Sequence, residues 1–231
     1  MNGTLYGVGV GPGDPELMTL KAVRLIEENH IIALPGAAPT ETIAYQIAVQ
    51  AVPALSEKEL VPIHMPMTHD REDLERNHQK GAQIIESYLK RGDNVIFLTL
   101  GDPTIYSTFT YVQQVVEQHG YPTAMVSGIP SFCAAAASVN IPLVQWNEQL
   151  HIIPAVHNLK HPLSDSGNYV LMKSGKKMKQ VKEILTASKR SVVTVENCGT
   201  KREHIYRGIN EIPDDAGYYS LIIAKESCCD D

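Results

Sequence analysis

Three short clusters hold the residues whose types and spacing could do chemistry: Gly11-Pro12-Gly13-Asp14, Gly101-Asp102-Pro103 and Gly128-Ile129-Pro130-Ser131. Each follows a run of strand-forming residues, "TLYGVGV", "NVIFLTL" and "TAMVS" respectively. Glycine lets a backbone approach a ligand closely. In an open parallel sheet, ligands bind beyond the carboxyl ends of the strands. Any one cluster is ordinary turn chemistry. Three that follow strands of one sheet predict a single site at one edge.

The residues argue against a phosphate as the ligand. The pattern GxGxxG fails in both registers, because Pro12 or Asp14 stands where the third glycine belongs, and no GK[ST] is present. Phosphate cradles use free backbone N–H groups and positive charge. Pro12, Pro103 and Pro130 each remove a donor, and Asp14 and Asp102 bring negative charge. At about 4 Å and an effective dielectric near 20, one like-charge contact costs on the order of 4 kcal/mol. The same turns suit a ligand with a cationic centre, an amine and sugar hydroxyls. S-adenosylmethionine has all three; an uncharged nucleoside also satisfies the turns.

The elements that must position these turns are legible from periodicity. In the first half, strands at "TLYGVGV", "HIIALP", "ELVPIHMP", "NVIFLTL" and "TAMVS" alternate with helices. The helices are expected over residues 20–28, capped by Thr19 with Val23 and Ile26 inward, near 39–50, over 73–90 and over 107–118, with Gly92 and Gly120 as stops. The prolines of "ELVPIHMP" suit an edge strand. Alternation of this kind predicts a parallel sheet covered by helices. The second half reads as a mixed sheet: strands at "QWNEQLHIIPA", "NYVLMK", "SVVTVEN", "HIYRGINEI" and "YYSLIIAKE", and helices over 131–139 and 176–188. The fold class is therefore α/β in two domains, 1–121 and 122–231, with the boundary placed at "HGYPTA".

Bulk composition narrows the function classes. The 231 residues carry a net charge of -6, which disfavours a nucleic-acid partner. Residues 1–121 hold 8 Lys+Arg against 15 Asp+Glu, whereas 122–231 hold 12 against 11. Much of the basic charge lies in 173–190, either a solvated helix face or a surface for an acidic substrate. No apolar run approaches the ~20 residues of a membrane span, and "MNGTLYGVGVG" reads as a first strand rather than a secretory leader. Cys133, Cys198, Cys228 and Cys229 lack CxxC spacing and read as reduced cytoplasmic thiols. His64, His69 and His78, and His151, His157 and His161, lack the spacing of a metal site. No metal ligands are expected. Trp146 is expected in the core.

Longer stretches carry a resemblance. "GVGVGPGDPELMTLKAVRLIEEN", "FLTLGDPTIYST", "SGIPSFCAAAA", "YVLMKSGK", "VENCGTKREHIYRG" and "SLIIAKE" resemble, in order and spacing, the tetrapyrrole (corrin and porphyrin) methylases. "LTLGDPTIYSTF" with "GIPSFCAAAA" is most similar to the branch that methylates C20 of precorrin-2 or cobalt-factor II. Relatives with Gly-Gly-Asp differ from Leu100-Gly101-Asp102, and those with Pro-Gly differ from Ser127-Gly128. The resemblance implies two α/β domains with the cofactor in the cleft between them, a homodimer, S-adenosyl-L-methionine as cofactor, and a small-molecule tetrapyrrole substrate. It places cofactor contacts at Pro12, Gly101, Asp102, Ile105, Tyr106, Pro130, Ser131, Met172, Gly199 and Ser220.

Methyl transfer from a sulfonium is an in-line displacement whose leaving group is neutral, so alignment is the main task. Asp102, at the mouth of the strongest strand, is the first catalytic candidate, either as a carboxylate for developing positive charge or as a helix cap. Lys173 is a candidate for a substrate carboxylate, and Tyr219 for an inward-pointing contact at the start of the last strand. Two rival readings remain at this stage. One is a sister methylase acting on another corrin carbon or on a modified protein histidine, against which "TIYST" weighs. The other is a non-catalytic nucleoside-binding regulator.

Overall fold

The computed structural model describes residues 1–66, 68, 70–155 and 163–226. His69, His157, His161, Cys228 and Cys229 lie outside the described residues. The described chain divides into two compact units, Met1–Pro130 and Ser131–Asp231.

The first unit is built on β1 (Leu5–Gly9), β2 (Ile31–Pro35), β3 (Glu59–Ile63), β4 (Val95–Thr99) and β5 (Thr123–Val126). They form one parallel sheet in the order β3-β2-β4-β1-β5. Every residue of β4 is buried, as expected of a central parallel strand covered on both faces. β3, with Pro62, is one edge, and β5 is the other. One face is covered by α1 (Leu20–Glu28) and α2 (Ile43–Ala51), whose Ala22, Leu25, Ile26 and Ile47 join Val8, Ile32 and Leu98 in one core. Val23 packs against that core only partly buried. The other face is covered by α3 (Arg71–Leu89) and α4 (Phe109–Gln118), around Phe97 and Phe109.

Local chemistry sets the helix ends. Thr19 accepts the Ala22 N–H at 3.2 Å, and Asp70 accepts those of Glu72 and Asp73 at 3.0 and 3.3 Å. Gly92 and Gly120, at φ 90° and 82°, end α3 and α4.

The second unit holds β6 (Leu150–Pro154), β7 (Asn168–Met172), β8 (Ser191–Glu196), β9 (His204–Arg207) and β10 (Ser220–Lys225) in the order β6-β7-β10-β8-β9. β6 and β7 are parallel and the other pairs antiparallel, so the sheet is mixed. Helices α5 (Ser131–Ser138) and α6 (Met178–Ser188) belong to this unit.

Four expectations are corrected. The first unit runs to Pro130 rather than to 121, because β5 pairs with β1 and completes the first sheet. "QWNEQ" is a turn, closed by the Gln145 N–H on the Glu148 carboxylate at 2.8 Å, and it leaves Trp146 fully exposed at φ 51° instead of in the core. β9 stops at Arg207, where Gly208 at φ 98° turns the chain into a 3-10 turn over Ile209–Glu211. β10 begins at Ser220, so Tyr218 and Tyr219 precede it and stay half exposed rather than pointing inward.

The interior of β8 contains Thr194, whose hydroxyl is buried without a hydrogen-bond partner among the described residues. A buried unsatisfied hydroxyl costs about 1–3 kcal/mol. Thr194→Val is therefore expected to raise stability by about 1 kcal/mol or more, read as a higher urea midpoint at unchanged slope.

Candidate functional site

The ends of β4, β1 and β5 are neighbours, and the three proline-bearing turns leave the sheet at this one edge. Gly11 and Gly101 lie opposite each other, each N–H donating to the other's carbonyl at 3.3 and 2.8 Å. Both have positive φ, 77° and 71°. Gly128 is packed against them. A Cβ on Gly9 would fall 2.5 Å from the Gly101 oxygen and 2.7 Å from the Gly128 nitrogen. A Cβ on Gly128 would fall 2.1 Å from the Gly101 oxygen. These are backbone atoms that cannot rotate aside, so only glycine fits.

Asp102 ties the turns together. It is 7% exposed. Its Oδ2 accepts the Gly128 N–H at 3.0 Å, and its Oδ1 accepts the Thr104 N–H at 2.8 Å and the Thr104 hydroxyl at 2.5 Å. Charge-assisted bonds of this kind are stronger than neutral ones. Asp102 is thus no helix cap: the carboxylate joins the turn after β4 to the turn after β5. Around it, Pro12 and Pro103 are buried, Ile105 and Pro130 are partly buried, and Tyr106 is 45% exposed at φ 49°. Asp14 accepts the Glu16 N–H at 2.8 Å and caps the short turn after β1. Residues 10–14, 100–108 and 127–131 contain no Lys, Arg or His. The edge thus offers glycine backbone, hydroxyls and negative charge, which fits a sulfonium and an ammonium and does not fit a pyrophosphate.

The second unit has an edge of its own, where β7 and β8 end and β10 begins. Met172 pairs with Leu221, and Ser220 with Glu196. Lys173 follows at φ 58°, its ammonium 6.0 Å from the centre of the Tyr218 ring. Gly199, at φ 73°, donates its N–H to the Glu203 carboxylate at 2.6 Å. Beside it Cys198 is buried, and burial with the neighbouring Glu203 pushes its thiol up to about 12. Burial also raises the Tyr219 phenol, with Tyr218 a smaller cause. Both tyrosines are protonated at neutral pH. Ser174, 1% exposed, has a hydroxyl with no hydrogen-bond partner among the described residues.

Met172, Lys173, Gly199, Tyr219 and Ser220 therefore meet at this edge, as Pro12, Gly101, Asp102, Ile105, Tyr106 and Pro130 meet at that of the first unit. Ser131 opens α5. Part of the basic stretch 173–190 serves the fold: Lys182 binds Asp214 at 2.8 Å, and Arg190 donates to the carbonyls of Leu163, Asp165 and Gly167. Among the described residues there is no group of three or more His, Cys, Asp or Glu that could hold a metal, and no helix is long and apolar enough to cross a membrane. Sequence reading missed Glu196, Glu203, Gly217 and Ser174. Their roles depend on contacts between strand ends, for which the local sequence carries no signal.

Comparison with known proteins follows the same line. A family model, the tetrapyrrole (corrin/porphyrin) methylases, matches residues 4–211. A probable cobalt-precorrin-2 C(20)-methyltransferase of Methanocaldococcus jannaschii is 33% identical over 225 residues, covering 96% of this chain and 95% of that protein. A precorrin-2 C(20)-methyltransferase of a Sinorhizobium species is 30% identical, covering 96% and 94%. Among solved structures, a Thermus thermophilus uroporphyrin-III C-methyltransferase complexed with S-adenosylhomocysteine superposes with TM-score 0.72 at 21% identity, covering 97% of this chain and 98% of that one.

Asp102→Ala removes three hydrogen bonds to a buried carboxylate. It is expected to cost about 2–4 kcal/mol of stability, measured by urea unfolding, and to impair ligand binding together with it. Gly128→Ala is expected to be at least as damaging, because its Cβ meets the Gly101 carbonyl.

Proposed function

Because the chain belongs to the tetrapyrrole (corrin/porphyrin) methylases, we propose that it transfers a methyl group from S-adenosylmethionine to C20 of precorrin-2 or cobalt-factor II. That is a step of cobalamin biosynthesis. Relatives named for this activity match nearly the whole chain. The observation that carries the reading is the glycine-only edge of the first unit: it is free of cations, closed by Asp102, and suited to a positively charged sulfur compound.

Bound S-adenosylmethionine supplies a methyl group activated on a sulfonium. This chain's residues then align and hold. The proposed cofactor contacts are Pro12, Gly101, Asp102, Ile105, Tyr106, Pro130 and Ser131, with Met172, Gly199 and Ser220 in the second unit. Many are backbone contacts, since glycine and proline offer no functional side chain. Alignment to about 3–3.5 Å in line is worth several orders of magnitude in rate. Asp102 keeps the turns in register, and its negative charge favours a cationic ligand. Lys173 is proposed to pair with a substrate carboxylate. Tyr219, kept protonated, is proposed as a substrate contact through its phenol hydroxyl. The proposed assembly is a cytoplasmic homodimer acting on a small molecule, without nucleic acid or membrane.

Two measurements test this. Titration calorimetry is expected to show S-adenosylhomocysteine binding and no binding of a dinucleotide. Incubation of labelled S-adenosylmethionine with precorrin-2, with and without cobalt in the ring, is expected to place label on the tetrapyrrole. Binding without transfer to either form would mark the protein as a sensor and not an enzyme.

A further inference from the structure

Glu196 ends β8 and has no part in the activity assigned so far. Its Oε1 accepts the Gly217 N–H at 2.6 Å, and its Oε2 accepts the Tyr206 hydroxyl at 3.0 Å. Residue 217 must be small for this: a Cβ there would lie 2.8 Å from Oε1. Gly217 is in turn the pivot of a tight turn. Its carbonyl accepts the Ser220 N–H at 3.2 Å and the Ser220 hydroxyl at 2.8 Å. The two residues inside that turn are Tyr218 and Tyr219, half exposed and in edge-to-face contact at 5.3 Å. Tyr218 reaches the neighbouring loop, with its Cα 3.8 Å from where a Cβ on Gly175 would stand and its ring beneath the Lys173 ammonium. One chain of contacts therefore runs from Glu196 through Gly217 and Tyr218 to Lys173.

We propose that Glu196 is a positioning residue for tetrapyrrole binding: by holding the Gly217 N–H it fixes the turn that presents Tyr218 and Tyr219 beside Lys173. This rests on the methylase reading. Two phenol rings and an ammonium at one edge match a flat ring system bearing carboxylates, through stacking and ion pairing. Glu196 touches neither ligand and acts through the turn. Tyr206 is the other half of its seat: burial first, and Glu196 second, raise the Tyr206 phenol, so it stays a donor to the carboxylate at neutral pH.

The test compares the full-length wild type with Glu196→Ala, Glu196→Gln and Gly217→Ala. Two ligands are titrated at 25 °C, uroporphyrin III as a polycarboxylic tetrapyrrole probe and S-adenosylhomocysteine, and thermal midpoints are recorded alongside. Glu196→Ala should weaken uroporphyrin binding about tenfold or more, the size expected when a charge-assisted hydrogen bond is lost. Glu196→Gln should stay within about twofold of wild type, because an amide oxygen still accepts the Gly217 N–H. Gly217→Ala keeps the carboxylate but displaces it from the turn. It should fold, since the Glu196 side chain can swing aside, and lose affinity as Glu196→Ala does. Lowered thermal midpoints with uroporphyrin affinity unchanged in Glu196→Ala and Gly217→Ala would overturn the proposal. So would a Gln variant as weak as the Ala variant, since charge and not turn geometry would then be at work. A wild type that binds neither ligand overturns the methylase reading, and this inference with it.

Discussion

Three stretches of backbone meet in the first unit at distances that only glycine allows, and the rest of its functional edge depends on that approach. Gly9, Gly101 and Gly128 come from three different strand ends, and their atoms occupy the space where side chains would begin. The N–H groups of Gly11, Gly101 and Gly128 are all bonded within the turns rather than left free as in a phosphate loop. It also brings the Asp102 carboxylate within reach of the Gly128 amide. The prolines that follow lack an N–H, so they add rigidity without adding anion-binding donors. With no cation in these turns and Asp102 buried among them, the edge suits a cationic ligand better than a phosphate.

A second regularity links the two units, although each is built separately. At three strand-end loops a carboxylate accepts the N–H of a glycine: Asp102 from Gly128, Glu203 from Gly199 and Glu196 from Gly217. Glycine brings the amide close, and the carboxylate makes a bond stronger than a neutral acceptor would. The acids at these edges therefore fix the backbone of the strand-end turns.

How far the sequence revealed this varies with the origin of each feature. The parallel sheet, its order of strands and helices, and the caps at Thr19 and the stops at Gly92 and Gly120 arise from local periodicity and local hydrogen bonding, and all could be read. The three turns could be read too, because glycine and proline state their backbone needs directly. Features set by distant contacts could not. Trp146 is hydrophobic and was expected inside, yet a turn closed by Glu148 carries it into solvent. Tyr218 and Tyr219 extend an apolar run, but Glu196 bends the chain at Gly217 before the strand begins. The boundary was placed at "HGYPTA" from its turn residues, although "TAMVS" just after it was read as a strand of the first sheet, where it pairs with β1. Asp102 drew attention as a possible catalyst, whereas its bonds to Thr104 and Gly128 became visible only in three dimensions.

The central claim is that these glycine-built edges hold an S-adenosyl compound. Hydrogen–deuterium exchange with and without S-adenosylhomocysteine tests it most directly. The account predicts slowed exchange in peptides covering residues 9–14, 100–107 and 126–131, and in those covering 172–175, 197–200 and 217–220, with little change elsewhere. Protection confined to the opposite end of the first sheet, around residues 28–31 and 91–94, or no protection at saturating ligand, would contradict it.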